Sequence, residues 1–205
     1  MDMEIACLDL EGVLVPEVWI GVAERTGISE LRVTTRDIPD YDVLMRQRLS
    51  IMEKHGMTLG NVQEVIGTME PLDGAPEFLD WLRTRFQVII LSDTFYEFSA
   101  PLMRKLNWPV LFCNYLETDG EDRVIGYRLR QPDQKRQAIK ALHTLNFRTI
   151  AAGDSYNDTT MLAEADAGIF FRPPEDIARQ FPQYPVTRNY EELRTQFQSL
   201  SVREI

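Results

Sequence analysis

Short apolar runs alternate along this chain with longer stretches in which apolar residues recur every three or four positions. The runs are Ile5–Leu8 (I-A-C-L), Gln87–Leu91 (Q-V-I-I-L), Pro109–Cys113 (P-V-L-F-C), Thr149–Ala152 (T-I-A-A) and Ala167–Phe171 (A-G-I-F-F). Their length and their apolar, often β-branched content predict buried strands. Helical spacing predicts helices over Glu17–Gly27, Tyr41–His55, Leu59–Thr68, Ala75–Arg85, Tyr96–Leu106, Asp133–Leu145, Glu175–Gln180 and Tyr190–Leu200, and another running to Ala165. Asp73 can cap the helix at Ala75, with Pro76 in its first turn, where proline is tolerated. Asp119-Gly120, between two strand-like stretches of Tyr115–Arg130, suggests a hairpin.

Strands alternating with helices imply βαβ units and a mainly parallel sheet. The expected fold class is therefore α/β, a doubly wound mainly parallel sheet. Between about Pro16 and Thr68 no convincing strand occurs, and the polar Thr34, Thr35, Asp37 and Pro39 read as a loop. That segment is expected to be a small helical cap inserted after the first strand. The division is then a discontinuous core of 1–15 and 70–205, with a cap of 16–69. Within the cap, Tyr41, Leu44, Met45, Leu49 and Met52 form an apolar stripe. Arg48 lies inside that stripe, while Arg46 points away. A guanidinium there either snorkels to water or meets an anion, and the pattern leaves both open.

Composition narrows the classes. Of the 205 residues, 44% are hydrophobic, enough for a sizeable core. The net charge of −10 argues against nucleic-acid or anionic-membrane partners. Cys7 and Cys113 sit in apolar runs outside any Cys-x-x-Cys pair, so buried thiols are expected rather than a metal or redox site. No leader pattern or long apolar span is evident, and a soluble cytoplasmic protein is the expectation. His55 and His143 read as surface helix residues.

In open parallel sheets ligands bind at the carboxyl ends of the strands. Three polar clusters fall at such ends: Asp9/Glu11, Ser92/Asp93/Thr94 and Asp154/Asn157/Asp158. Acids often end strands only because the chain is reaching water, and each cluster alone could be turn chemistry. All three together, with Lys135 opening a helix between the second and third, point to chemistry. Asp9 with Asp154 offers oxygen donors for a hard cation such as Mg²⁺. Ser92 offers a hydroxyl for phosphate, and Lys135 a balancing positive charge. Such a set suits phosphoryl transfer. No Gly-Lys-Ser/Thr phosphate loop is present, which excludes a nucleotide-cradle kinase.

The segments Asp9-Leu10-Glu11-Gly12-Val13-Leu14-Val15, Ser92, Lys135 and Gly153-Asp154-Ser155-Tyr156-Asn157-Asp158 resemble the four ordered motifs of the haloacid dehalogenase-type phosphatases. Met45-Arg46-Gln47-Arg48-Leu49-Ser50 is similar to a cap segment of the phosphoserine phosphatase branch. The resemblance implies a Rossmann-like core, with Asp9 as nucleophile forming an aspartyl-phosphate and Glu11 as general acid and base. It implies Mg²⁺ held by the Asp9 carboxylate, the Glu11 backbone carbonyl and Asp154, with Asp158 orienting Lys135 or a metal-bound water. Ser92, Asp93, Lys135 and Asn157 would surround the phosphate, Arg48 would meet the substrate carboxylate, and Glu17 its ammonium.

Two departures stand out. The usual second acid is aspartate, whereas this chain has Glu11. The usual Ser-Gly-Gly-Phe is Ser92-Asp93-Thr94-Phe95. Both resemble a bacterial subgroup that hydrolyses phosphoserine and also transfers the phosphoryl group to homoserine, in serine and threonine biosynthesis. The expected partners are therefore phosphoserine and homoserine, with the protein a monomer or homodimer. Two alternatives remain: a phosphatase of another small phosphomonoester, such as a sugar or cofactor phosphate, and a receiver-type signalling module.

Overall fold

Strand β1 (Met3–Leu8) is buried from Glu4 onward and has a parallel neighbour on each side, β2 (Gln87–Phe95) and β5 (Phe147–Gly153). The computed structural model describes residues 3–35, 37–38 and 40–203. Pro39 of the expected loop, and residues 1, 2, 204 and 205 of the expected core, lie outside the described residues. Beyond β2 come β3 (Val110–Thr118) and β4 (Val124–Arg128); beyond β5 come β6 (Ala167–Phe171) and the two-residue β7 (Val186–Thr187). Among the described residues this is a seven-stranded sheet in the order β4-β3-β2-β1-β5-β6-β7, parallel except at the β3–β4 hairpin. Sequence order reverses at β1, so a crevice opens where the carboxyl ends of β1 and β5 diverge from their crossovers.

Both faces of the sheet are covered, which explains why its strands read as unbroken apolar runs. Alternation sends Ala6 and Leu8 to one core and Ile5 and Cys7 to the other. The first core contains residues of α1 (Val18–Thr26), α2 (Tyr41–Lys54), α3 (Leu59–Gly67), α4 (Ala75–Arg83), α5 (Tyr96–Lys105) and α9 (Tyr190–Leu200). The second contains residues of α6 (Gln134–Thr144) and α7 (Thr159–Glu164), with Ile177 of α8 (Glu175–Gln180) packed against it. Helix α1 ends at Gly27, whose φ of 74° is the left-handed cap that glycine supplies cheaply.

The segment after β1 is helical as expected and shares its apolar core with the sheet. The two chain crossings that join it to the sheet lie side by side, Leu72 N–H donating to the Leu14 carbonyl at 2.9 Å. Lys105, at the end of α5, donates to the Gly67 and Met69 carbonyls at 3.0 and 2.6 Å. The tip of the β3–β4 hairpin caps α3, since Asp122 accepts from Leu59 and Gly60 N–H.

Several local expectations need correction. Strand β2 does not end at Leu91 but continues through Ser92-Asp93-Thr94 to Phe95. Three residues of β2, Ser92 to Thr94, lie between the paired Leu91 and Phe95, where β3 has only Cys113 between Phe112 and Asn114. The extra backbone bulges outward and carries the polar triplet, which ended the apolar signal early. Asp73 does not cap α4: Gly74, at φ +84°, is the N-cap residue and makes no side-chain cap. His143 is not a free surface residue, because its Nε2 lies 3.0 Å from Thr149 Oγ1 and 3.1 Å from Asp166 Oδ2. Both partners are remote in sequence. His55 is exposed at the end of α2. Cys7 and Cys113 are buried free thiols; burial pushes Cys7 up to about 12 and raises Cys113 above its ordinary range. Among the described residues no helix is long and apolar enough to cross a membrane.

The C-terminal segment, for which the sequence suggested no role, completes the first core. Tyr190, Leu193 and Phe197 are buried, and Tyr190 stacks on Phe78 at 5.1 Å. Its hydroxyl donates to the Val13 carbonyl at 2.7 Å, in the loop that follows β1. Phe78 also meets Trp81 and Phe197. Phe78→Ala should therefore cost about 3–5 kcal/mol, measured by denaturant unfolding of the variant against the parent.

Candidate active site

The loop after β1 turns sharply enough to bring two acids to the crevice. Asp9 continues the β1–β5 ladder, its N–H donating to the Ala152 carbonyl at 2.9 Å, and Oδ1 accepts from Leu10 N–H at 2.7 Å. Gly12 has φ +77°, and a Cβ there would stand 2.3 Å from Asp154 Oδ2. Glycine is thus required both for the turn and for the approach of the β5 acid. Gly153 makes room in turn for Asp158, whose side chain a Cβ there would meet at 2.4 Å.

Lys135, in the first turn of α6, is buried between carboxylates. Its Nζ lies 2.9 Å from Asp9 Oδ1, 2.8 Å from Asp158 Oδ1 and 3.7 Å from Asp93 Oδ2. Burial alone would push the ammonium pKa down; the neighbouring Asp158, Asp9 and Asp93 outweigh it and hold the pKa well above the ordinary lysine range. The other oxygen of Asp158 accepts from Asp154 and Ser155 N–H at 3.0 and 3.1 Å, fixing the carboxylate that fixes the lysine.

Burial and the nearby Asp158 raise Asp9 well above the usual carboxylate range, and the same two causes lift Asp154 to about 7. The carboxylates of Asp9, Asp154 and Asp158 can bring oxygens within 4.8 Å of one another, against one lysine. Such hard oxygen donors, short of positive charge, fit a divalent cation of the Mg²⁺ type. Asp158 stands closer to this cluster than expected, while the Glu11 carboxylate turns away from it. Glu11 Oε2 accepts from Val18 N–H at 2.9 Å, at the start of α1. Burial and then repulsion from Glu17 lift Glu11 to about 8.

Above this floor opens a cavity of about 910 Å³, lined by Asp9, Glu11, Ser92 and Lys135 below and by Glu17, Arg48 and Tyr41 from the helical segment. Ser92 is buried, and its hydroxyl accepts from Thr94 N–H at 3.2 Å. Arg48 is 7% exposed. Its Nη2 donates to the Val33 carbonyl at 3.0 Å and the guanidinium lies 4.6 Å from the Trp19 ring centre, but Nε is buried with no hydrogen-bond partner among the described residues. Burial lowers its pKa to about 10, which leaves it charged at neutral pH. Asn157 is exposed at the rim and donates to Asp93 Oδ2 at 3.2 Å.

The structure adds residues that the motifs do not mark. Gln134 is buried and donates to the Ser92 carbonyl at 2.5 Å and to Asp93 Oδ1 at 3.2 Å. Asn114, buried on β3, donates to the Asp93 carbonyl, as does the Tyr41 hydroxyl, both at 3.2 Å. A lone asparagine in the apolar stretch Cys113-Asn114-Tyr115-Leu116 was the signal available for Asn114; Gln134 offered none.

With this arrangement established, a family model described as haloacid dehalogenase-like hydrolase matches residues 3–166. This chain is a haloacid dehalogenase-like hydrolase. The receiver-type alternative is thereby set aside, and the protein is an enzyme. Among curated relatives, this hydrolase is 64% identical over 203 residues to the phosphoserine phosphatase ThrH of Pseudomonas aeruginosa, covering 99% of each chain. It is 63% identical over 203 residues to a phosphoserine phosphatase of Pseudomonas syringae pv. tomato, covering 99% of this chain and 86% of the relative. In fold it superposes on a phosphoserine phosphatase solved as a phospho-aspartyl intermediate analogue, with a TM-score of 0.76, 17% identity and coverage of 96% and 99%.

A divalent cation that binds the acidic cluster stabilises the folded state by mass action, by about 2.7 kcal/mol at a hundredfold excess over Kd. Mg²⁺ should therefore raise the melting temperature of the parent and EDTA should reverse the rise. Asp154→Asn should remove most of that shift, read by differential scanning fluorimetry across a Mg²⁺ titration.

Proposed function

We propose that this hydrolase removes the phosphoryl group from L-phosphoserine in a Mg²⁺-dependent reaction, and that it can deliver the group to L-homoserine as well as to water. The observation that carries the substrate is Arg48. A buried guanidinium with an unpartnered Nε, across a cavity from Asp9 and Lys135, is a receptor for a second anionic group on a phosphate ester. Glu17, on the same side of the cavity, suits an ammonium. Carboxylate to Arg48, ammonium to Glu17 and phosphate towards Lys135 and Ser92 is the pattern of an amino-acid phosphate. A sugar phosphate has no use for the first two. The similarity to the phosphoserine phosphatases of Pseudomonas supports the same substrate, and the name ThrH supports a place near threonine synthesis. On this reading residues 16–69 act as a specificity cap on a core of 1–15 and 70–205, and the enzyme works in the cytoplasm.

The chemistry follows from the residues. An Asp9 carboxylate oxygen attacks phosphorus and the bond to the serine oxygen breaks, leaving an aspartyl-phosphate. Glu11, with its pKa near 8, still carries a proton at neutral pH and gives it to the departing oxygen. Glu11 then takes a proton from water or from the homoserine hydroxyl as that oxygen attacks phosphorus and Asp9 leaves. Asp158 holds Lys135 in place, and Lys135 offsets charge on the phosphoryl oxygens. Mg²⁺ would be held by the Asp9 carboxylate, Asp154 and the Glu11 backbone carbonyl, and when bound supplies further positive charge to the phosphoryl group. A closed cap keeps bulk water from the aspartyl-phosphate, which favours a bound alcohol as acceptor.

The test follows phosphate release from L-phosphoserine with Mg²⁺, with and without L-homoserine. Phosphohomoserine should form at the expense of free phosphate, and Asp9→Asn should abolish both. Arg48→Ala should raise KM for phosphoserine by about a hundredfold, the scale of a charge-assisted pair, while barely changing turnover of p-nitrophenyl phosphate. Equal loss on both substrates would return the assignment to another phosphomonoester. Glu11→Asp, one methylene shorter, should raise the ratio of hydrolysis to transfer; an unchanged ratio would show that the acid's length does not set the acceptor.

A further inference from the structure

Asp93 stands on the cavity wall, in the bulge of β2, where a phosphate-binding site ordinarily has no use for a carboxylate. An ionised carboxylate has only acceptors, so it can give the phosphoryl oxygens nothing. It takes from the groups that could. Asp93 Oδ2 accepts from Asn157 Nδ2 at 3.2 Å and lies 3.7 Å from Lys135 Nζ, while Oδ1 accepts from Gln134 Nε2 at 3.2 Å. The backbone beneath it is pinned, because the Tyr41 hydroxyl and Asn114 Nδ2 both donate to its carbonyl. The side chain, 39% exposed, opens to the same cavity as Asp9 and Lys135.

We propose that Asp93 weakens the hold of the site on phosphate, so that inorganic phosphate leaves and does not block the enzyme with its own product. This rests on the phosphatase reading above and reverses the sign expected for Asp93 from its place among the phosphate-surrounding residues. Two effects add. Asp93 occupies an amide hydrogen of Asn157 that would otherwise be free to meet a phosphoryl oxygen. Its charge also offsets part of the Lys135 field and repels a dianion in a partly desolvated cavity, where like charges a few ångströms apart interact strongly. An aspartyl-phosphate is covalently held and does not depend on that grip, whereas free phosphate does. The balance therefore falls on product release more than on the chemical step.

The measurement is binding of inorganic phosphate to the Mg²⁺-loaded protein by calorimetry, with inhibition of phosphoserine turnover by phosphate as the kinetic counterpart. Asp93→Asn should bind phosphate at least tenfold more tightly than the parent, and Asp93→Ser should do the same should the amide variant fail to fold. In an Asn157→Ala background the gain should shrink, because the released donor is gone. Phosphate binding unchanged or weakened in a folded Asp93 variant overturns the proposal and leaves Asp93 a structural link between Gln134 and Asn157. Absence of phosphoserine turnover by the parent would instead overturn the substrate reading, and would leave the phosphate titration to decide the role of Asp93.

Discussion

One buried ammonium holds this active site together. Lys135 reaches the crevice from α6 and meets Asp9 from β1, Asp93 from β2 and Asp158 from the turn after β5. None of these acids could share so small a volume without it, since like charges in a poorly solvated site repel strongly. The lysine in turn would be driven to neutrality by burial without them. Each side of the arrangement is the condition for the other. The sheet contributes by making β1 its centre, so that strands remote in sequence deliver their acids to one point. Gly12 and Gly153 contribute by having no side chain where Asp154 and Asp158 must pass.

A second division of labour runs between floor and roof. The floor, drawn from the strand ends, holds the groups suited to phosphorus chemistry and is tightly hydrogen bonded. The roof, drawn from α1 and α2, holds Glu17, Tyr41 and Arg48, and touches the floor at few points. Glu11 accepts from the first N–H of α1, and Tyr41 donates to the Asp93 carbonyl. The charges of the roof still reach the floor, since Glu17 raises both Glu11 and Asp154 by repulsion.

Much of this was legible in the residues before any coordinates. Apolar runs marked the strands because both faces of a mainly parallel sheet are buried, and the acids at their ends marked the crevice. Arg48 betrayed itself by lying on an apolar stripe, where a guanidinium needs a reason. What stayed hidden depended on partners distant in the chain. Gln134 is an ordinary helix residue until α6 is laid against the bulge of β2. His143 looks solvent-facing until Thr149 and Asp166 arrive beside it. Asp73 looks like a cap until Gly74 takes the left-handed turn instead. The bulge itself was invisible because its polar residues ended the apolar signal that defines a strand.

The hydrogen bond from Tyr190 to Val13 closes a loop of the whole fold. The turn carrying Asp9 and Glu11 is made first, yet its backbone is tied down by a residue near the other end of the chain. Leu72 ties the same turn from the far side, so its backbone is held both by the segment that re-enters the sheet and by α9. A disturbance in the packing of α9 on Phe78 can thus be felt in a loop 177 residues away along the chain.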